Sequence, residues 1–394
     1  MRVVVATIMP PTGLTGVQTH VHEVCAYLAS RGDRPQIVTP YSWGGPLSIP
    51  VFGARRAIDP VSGSASIAWY RYWHYLFLKK ALERELAFEG PAVVYAQCTL
   101  SAKAAIEARQ DMSKKVVVAV HSDGSQADEW VDKKMLRVGS REYRSIVGLE
   151  QRLLPQVDGI VYVSEAARKG MTDHVKGLDA IASAVVTNFV SIPAVVSSPT
   201  KTGDIITVGG LEIAKNHQYL LQVLAEAKRK GHSYTLDLAG DGPCRGSLEQ
   251  LSKSLGLEGQ VRFLGSRKDV RSLLPHYRAY AHTSVRESLC MAIIEAMACG
   301  LGVVAGAVGG IPELFEEGSE GLFWPLDDPE TAAQILIGLL EDQSELQRLG
   351  TAARARFEHS FDAKVVGPLL ERLLLSTVAA GDNATGVVRA KDLV

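Results

Sequence analysis

The chain has 394 residues, of which 46% are hydrophobic and 22% charged, and its formal net charge is −1. That length is about twice a typical domain, so two domains are expected, and the near-neutral charge argues against a general nucleic-acid binder. Five cysteines (Cys25, Cys98, Cys244, Cys290, Cys299) form no CxxC pair and read as reduced thiols.

The opening MRVVVATIMP runs straight into a strand without the apolar core of a signal peptide, and no run reaches transmembrane length. A cytoplasmic location is expected. The first half is mildly basic and the second acidic, which leaves room for peripheral contact with the inner face of a membrane.

Short Val/Ile-rich runs recur along the chain. RVVVATI, QIVTP, AVVYAQ, KVVVAVH and GIVYVS are the strand candidates of the first half. DIITVGG, YTLDLAG, VRFLG, AYAHTS and GVVAG are those of the second. Near-continuous apolar strands alternating with helical patterns indicate an α/β fold with parallel, doubly wound sheets. SIPAVVSSPTKTG interrupts the pattern and marks an interdomain linker at 191–203.

The first strand feeds PPTGLTGVQTH, where Gly13 and Gly16 precede a helix that ends at Gly32. A glycine-rich loop at a strand's carboxyl end is the usual ligand position in an open α/β sheet. It is not GxGxxG, so a dinucleotide is disfavoured. His20 and His22 stand two apart on the helix and point in different directions, which suits packing and surface better than a metal. WYRYWHYLFLKK reads as a buried helix with Trp69, Trp73 and Phe77 at helical spacing. KVVVAVHSDG places His121 just past a strand with Asp123 behind it, suited to sugar contact or proton handling.

In the second half, Gly209 and Gly210 follow a strand and Lys215 precedes a long helix, a reasonable diphosphate clamp. GDGPCRG, with Gly240 and Asp241, lies at another strand-to-helix turn, and the loop after Phe263 suits backbone contact with a nucleobase. TSVRESLCMAIIEAMACG (283–300) sets Glu287 and Glu295 eight positions apart. Glu287 is expected before the helix start and Glu295 about two turns in, the two acids roughly on one side. A helix N-terminus suits phosphate, and flanking carboxylates suit sugar hydroxyls. Gly309 and Gly310 offer a second set of amides near the same place.

SVRESLCMAIIEAMACG resembles the Glu-x(7)-Glu signature of retaining glycosyltransferases of family 4. TGLTGVQTHVHEVCAYLASRG, VHSD, VSEAARKG, VGGL…KN, LAGDGP, VRFLG and GGIPEL…GLFWPLDDP support the match in chain order. The resemblance implies a GT-B fold: two Rossmann-like domains facing across a cleft, an acceptor domain at 1–190 and a nucleotide-sugar domain at 204–358. A terminal helix at 359–378 is expected to cross back onto the first domain, followed by a polar tail at 379–394.

The resemblance also implies roles. Lys215 would bind the diphosphate and take part in catalysis, Glu295 the ribose and Glu287 the transferred sugar. The Cys290–Met291 amides would cap a phosphate, with Ser288 and Leu289 beside them. Gly16 would let the acceptor loop approach the diphosphate. His121 would touch the sugar, with Gly13 and Asp123 on the acceptor side. The donor is expected to be a UDP- or GDP-type sugar and the acceptor a carbohydrate, a lipid or a small metabolite. No cofactor and no metal are expected, since no D-x-D occurs. Transfer is expected with retention, on one face of the sugar.

Three departures stand out: Gly210 replaces a usual Arg, Leu289-Cys290 a usual Phe-Gly, and Asn188-Phe189 a usual Asn-Gly. Arg286, Arg267 and Lys268 are candidates to replace the missing arginine. Two alternatives share the architecture, a nucleotide-sugar epimerase and a degenerate donor-binding partner without catalysis. The loop Gly13–Gly16 and the glutamate pair argue for transfer. A dinucleotide-dependent oxidoreductase lacks its fingerprint.

Overall fold

The computed structural model describes residues 2–45, 48–59, 61–191 and 200–379. The expected linker lies mostly at 192–199, and the tail runs from 380, so both fall outside the described residues.

The first sheet contains β1 (Val3–Ala6), β2 (Gln36–Val38), β3 (Ala92–Ala96), β4 (Lys114–Val120), β5 (Gly159–Tyr162) and β6 (Ser183–Val185). Their order is β2-β1-β3-β4-β5-β6, and every pairing is parallel. Every residue of β1, β3, β4 and β5 is buried, which accounts for their apolar runs, broken only by Lys114 and Lys115 at the start of β4.

The second sheet contains β7 (Gly203–Val208), β8 (Leu236–Ala239), β9 (Val261–Gly265), β10 (Tyr277–His282), β11 (Gly302–Ala305) and β12 (Gly321–Phe323). Its order is β12-β11-β10-β7-β8-β9, again all parallel. The edge strands β6 and β12 do not follow from the sequence pattern. Both are short and only partly buried.

Strand order locates the crevices. In the second sheet the chain runs from β7 outward through β8 and β9, then returns to lay β10 on the other side of β7. The connections after β7 and β10 therefore leave on opposite faces, and a gap opens at their carboxyl ends. In the first sheet the corresponding reversal lies between β1 and β3.

Contacts divide the chain into two units. The first comprises residues up to Gly13, Val17–Thr187 and the chain from Val366, and the second comprises Leu14–Gly16 and Asn188–Val365. Each has its own core. In the second unit the helix His217–Arg229 buries Leu220, Leu221, Leu224 and Ala227, an i, i+1, i+4, i+7 stripe. They pack in one cluster with Ala332, Leu336 and Leu339 of the helix Pro329–Glu341. Each buried Leu contributes roughly 1.5–3 kcal/mol.

In the first unit, the helix Ala363–Ala379 is held by Glu371, whose Oε2 accepts from the Tyr27 hydroxyl at 2.9 Å and pairs with Arg31 at 3.4 Å. Gly367 lies flat against the Tyr27 ring, and a Cβ there would stand 2.4 Å from Cε2. Gly367→Ala should therefore destabilise the first unit by about 1–3 kcal/mol. A urea midpoint unchanged from wild type would show that this contact is not tight.

Candidate functional site

The sequence-expected donor residues gather at the carboxyl ends of β7 and β10. After β7 the chain passes Gly209 and Gly210 into a 3-10 turn, Ile213–Lys215, and then Asn216 in the left-handed region at φ 51° before the next helix. This leaves Lys215 half-buried beside the end of β10. Two bonds tie the loops together: Thr283 Oγ1 donates to the Lys215 carbonyl at 2.9 Å, and the Val285 N–H to the Ala214 carbonyl at 3.0 Å.

Glu287 is the centre of this arrangement. Its Oε1 accepts from the Lys215 ammonium, from His282 Nε2 at 2.9 Å and from Ser284 Oγ at 2.8 Å. Burial works against the ionised carboxyl, but the Lys215 ammonium and the His282 ring outweigh it and hold Glu287 well below the usual carboxylate range. Lys215 is raised in return: burial opposes its charge and the Glu287 carboxylate overcomes that. His282, only 3% exposed, is likewise opposed by burial but raised to about 9 by Cys290 and Glu287. The network is thus an ionised acid neutralised by buried cations, which a dry site requires.

The backbone carrying Glu287 is also fixed. Its carbonyl accepts from Gly310 N–H at 3.0 Å. Gly309 sits at φ +53°, and a Cβ there would stand 1.7 Å from that carbonyl, so only glycine fits. The His282 carbonyl accepts from Trp324 Nε1 at 3.1 Å and Gly306 N–H at 3.2 Å.

The following helix is Met291–Ala298, with Cys290 as N-cap and no side-chain cap bond. Its first-turn amides keep the partial positive charge that suits phosphate. The expectation that Glu295 lies two turns in is corrected. The helix begins at Met291, so Glu295 is its fifth residue, little more than one turn from the start. Glu295 Oε1 accepts from Arg271 Nε at 2.9 Å, which orients it. Leu289, Cys290 and Met291 are buried, and Ser288 is half-buried.

The other donor candidates frame the same end of the sheet. Gly240 follows β8 so close to Gly209 that a Cβ would stand 1.8 Å from the Gly209 carbonyl. Asp241 is exposed and pairs with Arg245 at 3.5 Å. The Phe263 ring packs on the second core, leaving backbone as the group available from that strand end. Of the candidates to replace the arginine absent at Gly210, Arg267 is engaged by Asp269 through two bonds, at 2.8 and 2.6 Å.

The acceptor candidates belong to the first unit, except that Leu14–Gly16 group with the second. Gly13 lies in the loop before the first helix, Gly16–Ser30, and Gln18 Nε2 closes that loop by donating to the Pro10 carbonyl at 2.8 Å. His20 is buried and His22 exposed, as their spacing implied. His121 follows β4, donates from Nε2 to Gln97 Oε1 at 3.0 Å and meets the His20 ring edge-on at 5.0 Å. Asp123 lies two residues on, half-buried. The loop is anchored behind by Glu150, fully buried, which accepts from Ser125 Oγ at 2.6 Å, Gln126 N–H at 2.9 Å and His174 Nε2 at 2.9 Å. A small cavity lined by Gln97, Thr99, His121, Ser122 and Gln126 lies at this strand end.

His282, Ser284 and Arg271 join the cluster of the second unit, and Gln97 the strand end of the first, without having been expected there. His282 closes β10 and Ser284 lies in the signature stretch itself, so their places were legible. Arg271 reaches Glu295 only through tertiary contact.

Burial pushes His121 down to about 4, so at neutral pH it is an uncharged hydrogen-bonding group. His74 is depressed to about 4 by the same cause. The unfolded chain protonates these rings near pH 6.5 and the folded chain only near 4. Their stabilising contribution is therefore present above 6.5 and is lost as pH falls through that window. Urea midpoints at pH values of about 7, 5.5 and 4.5 should fall steadily, and less steeply in His121→Asn; an equal slope would contradict the buried neutral ring.

Residues 14–192 match the family model described as Glycosyltransferase Family 4, and residues 190–356 the model described as Glycosyl transferases group 1. Among curated relatives, the N-acetyl-alpha-D-glucosaminyl L-malate synthase of Bacillus anthracis is 31% identical over 162 residues, 41% of this chain and 42% of that protein. One component of the human phosphatidylinositol N-acetylglucosaminyltransferase is 38% identical over 115 residues, 29% of this chain and 24% of that protein. The chain thus spans less than half the length of these two relatives. A sucrose-phosphate synthase of Thermosynechococcus elongatus has the same fold, with a TM-score of 0.76, 18% identity and coverage of 96% and 100% of the two chains. Anabaena HepE in complex with UDP gives a TM-score of 0.67 at 19% identity, covering 95% and 100%.

Proposed function

The chain belongs to the group 1 glycosyltransferases, with a family 4 first half and the GT-B fold, and from that premise we propose that it moves a sugar from a nucleotide-diphosphate sugar to a hydroxyl acceptor. The observation that carries the reading is the convergence of Lys215, His282 and Ser284 on one oxygen of Glu287, at the switch point of the second sheet.

Each group then has a task. Lys215 lies beside the uncapped helix Met291–Ala298, so an ammonium and a set of amides are available to one diphosphate. When the donor enters, its phosphates compete with Glu287 for Lys215. Glu287 is thereby released to accept from sugar hydroxyls. Glu295, oriented by Arg271, accepts from the ribose hydroxyls. The leaving diphosphate develops charge in the transition state, and Lys215 and the helix amides stabilise it there. The missing arginine at Gly210 makes Lys215 the principal cation for this step.

Transfer proceeds with retention on one face of the sugar, and a leaving-phosphate oxygen takes the acceptor proton. No metal is called for in this scheme, because Lys215 and the helix end supply the positive charge. His121, uncharged at neutral pH, donates or accepts a hydrogen bond to the transferred sugar and does not act as a cation. Gly13, Gly16 and Asp123 border the acceptor. HepE is described with UDP, and two curated relatives carry N-acetylglucosaminyl names, so UDP-N-acetylglucosamine is the first donor to try. The acceptor is a carbohydrate, a lipid or a small metabolite, and the protein works in the cytoplasm or against the inner face of a membrane.

A thermal-shift series with UDP, GDP and their sugars tests donor binding. One nucleotide should raise the melting temperature, by mass action, and Lys215→Met should abolish that rise. Glu287→Gln is the variant for the chemical step, because its amide oxygen can still accept from Lys215, His282 and Ser284, whereas alanine would leave all three donors unpaired. It should slow nucleotide-diphosphate release by ~10²–10³-fold. Full turnover in Glu287→Gln, or an unchanged shift in Lys215→Met, would overturn the assignment of the site.

A further inference from the structure

We propose that His282, Glu287 and Cys290 form a binding site for a soft divalent cation of the zinc type, one that displaces Lys215 from Glu287. The three ligand atoms already face one another. His282 Nε2 lies 2.9 Å from Glu287 Oε1 and 3.6 Å from Cys290 Sγ, and all three atoms fall within 4.8 Å of one another. Around a tetrahedral zinc, with bonds of about 2.0–2.3 Å, ligand atoms stand about 3.3–3.6 Å apart. Shifts of a few tenths of an ångström to about one ångström would seat the ion.

The donor set is one nitrogen, one oxygen and one sulfur. A thiolate with an imidazole selects zinc-like ions over magnesium or calcium, which prefer oxygen alone. The ring is also turned the right way. Its Nδ1 faces the Tyr280 hydroxyl at 3.3 Å, and that hydroxyl lies 3.3 Å from the Val208 carbonyl. With Nδ1 engaged, Nε2 is the atom directed at Glu287, while Cys290 Sγ lies 3.6 Å from Nε2 and 3.8 Å from Nδ1, so the thiol would have to swing toward Nε2 to share an ion.

The scaffold under the three ligands is stiff. His282 ends β10 with its carbonyl bonded to Trp324 and Gly306, Glu287 has its carbonyl held by Gly310, and Cys290 is the N-cap of Met291–Ala298. Nothing in the loop has to refold to bring them together.

The feature that makes this an inhibitory site is Lys215. Its ammonium occupies the same Oε1 that the cation needs. A bound ion would take the place of both the Lys215 ammonium and the proton on His282 Nε2, which now contact Oε1, so the ion and the lysine compete for that oxygen. A bound ion also takes Glu287 out of reach of a sugar. That last consequence rests on the transferase reading, whereas the site itself rests on geometry alone.

The test uses the intact chain and reads binding without turnover. Addition of one equivalent of Co²⁺ should produce a thiolate-to-cobalt charge-transfer band, lost on adding Zn²⁺ and absent in Cys290→Ser. In Lys215→Met, which removes the competing charge, the band should appear at lower Co²⁺ concentration. X-ray absorption on the wild-type protein with one equivalent of Zn²⁺ needs no variant, and should show one sulfur bonded to the metal together with nitrogen or oxygen. Coordination without sulfur, a band that persists in Cys290→Ser, or cobalt affinity that falls in Lys215→Met would each overturn the proposal. If binding is seen while Glu287→Gln still turns over fully, the cation site stands and the assignment of Glu287 to the transferred sugar fails.

Discussion

A single carboxylate oxygen organises the second unit. Oε1 of Glu287 accepts from an ammonium, an imidazole and a hydroxyl that come from the loop after β7, the end of β10 and the segment following it. A buried charge is tolerated only when opposite charge and hydrogen bonds surround it. Glu287 therefore constrains the path of three stretches of chain at once. The Gly309–Gly310 turn, the Trp324 indole and the Thr283 and Val285 bonds hold those stretches where the carboxylate needs them.

The placement of that oxygen follows from topology. Two parallel sheets bury their strands on both faces and leave strand ends as the places where polar backbone and side chains emerge. In the second sheet the reversal between β7 and β10 opens the gap into which Lys215 and Glu287 project. In the first sheet, β3 and β4 end side by side, and Gln97 and His121 meet at their carboxyl ends. Both units thus use the same physical device with different chemistry, a charged cluster in one and an uncharged histidine in the other.

Much of this was legible in the residues. Ten of the twelve described strands announce themselves as apolar runs, because a strand covered on both faces has no polar side to show. Glycine after a strand and before a helix marks the strand-end loops, since turns and close approaches require it. Gly240 against Gly209 and Gly309 against Glu287 meet carbonyls where a Cβ would be. Of the four edge strands, β2 and β9 were legible as apolar runs and β6 and β12 were not. Glu295 lies one turn shallower than its spacing suggests, because the helix waits until Met291 to begin and local spacing does not tell where a cap falls.

The chain's own order of residues determined the two α/β halves, the parallel sheets and the family, since each depends on hydrophobic period and short motifs that are local in the sequence. Which groups share a proton or a charge was decided only in three dimensions. Lys215 and Glu287 are 72 positions apart, and Arg271 and Glu295 24, and their contact depends on how the β7 and β10 loops meet. The pairing of His282 with both Glu287 and Cys290 is likewise a product of that meeting, for a ring at a strand end takes its charge state from whatever the fold sets beside it.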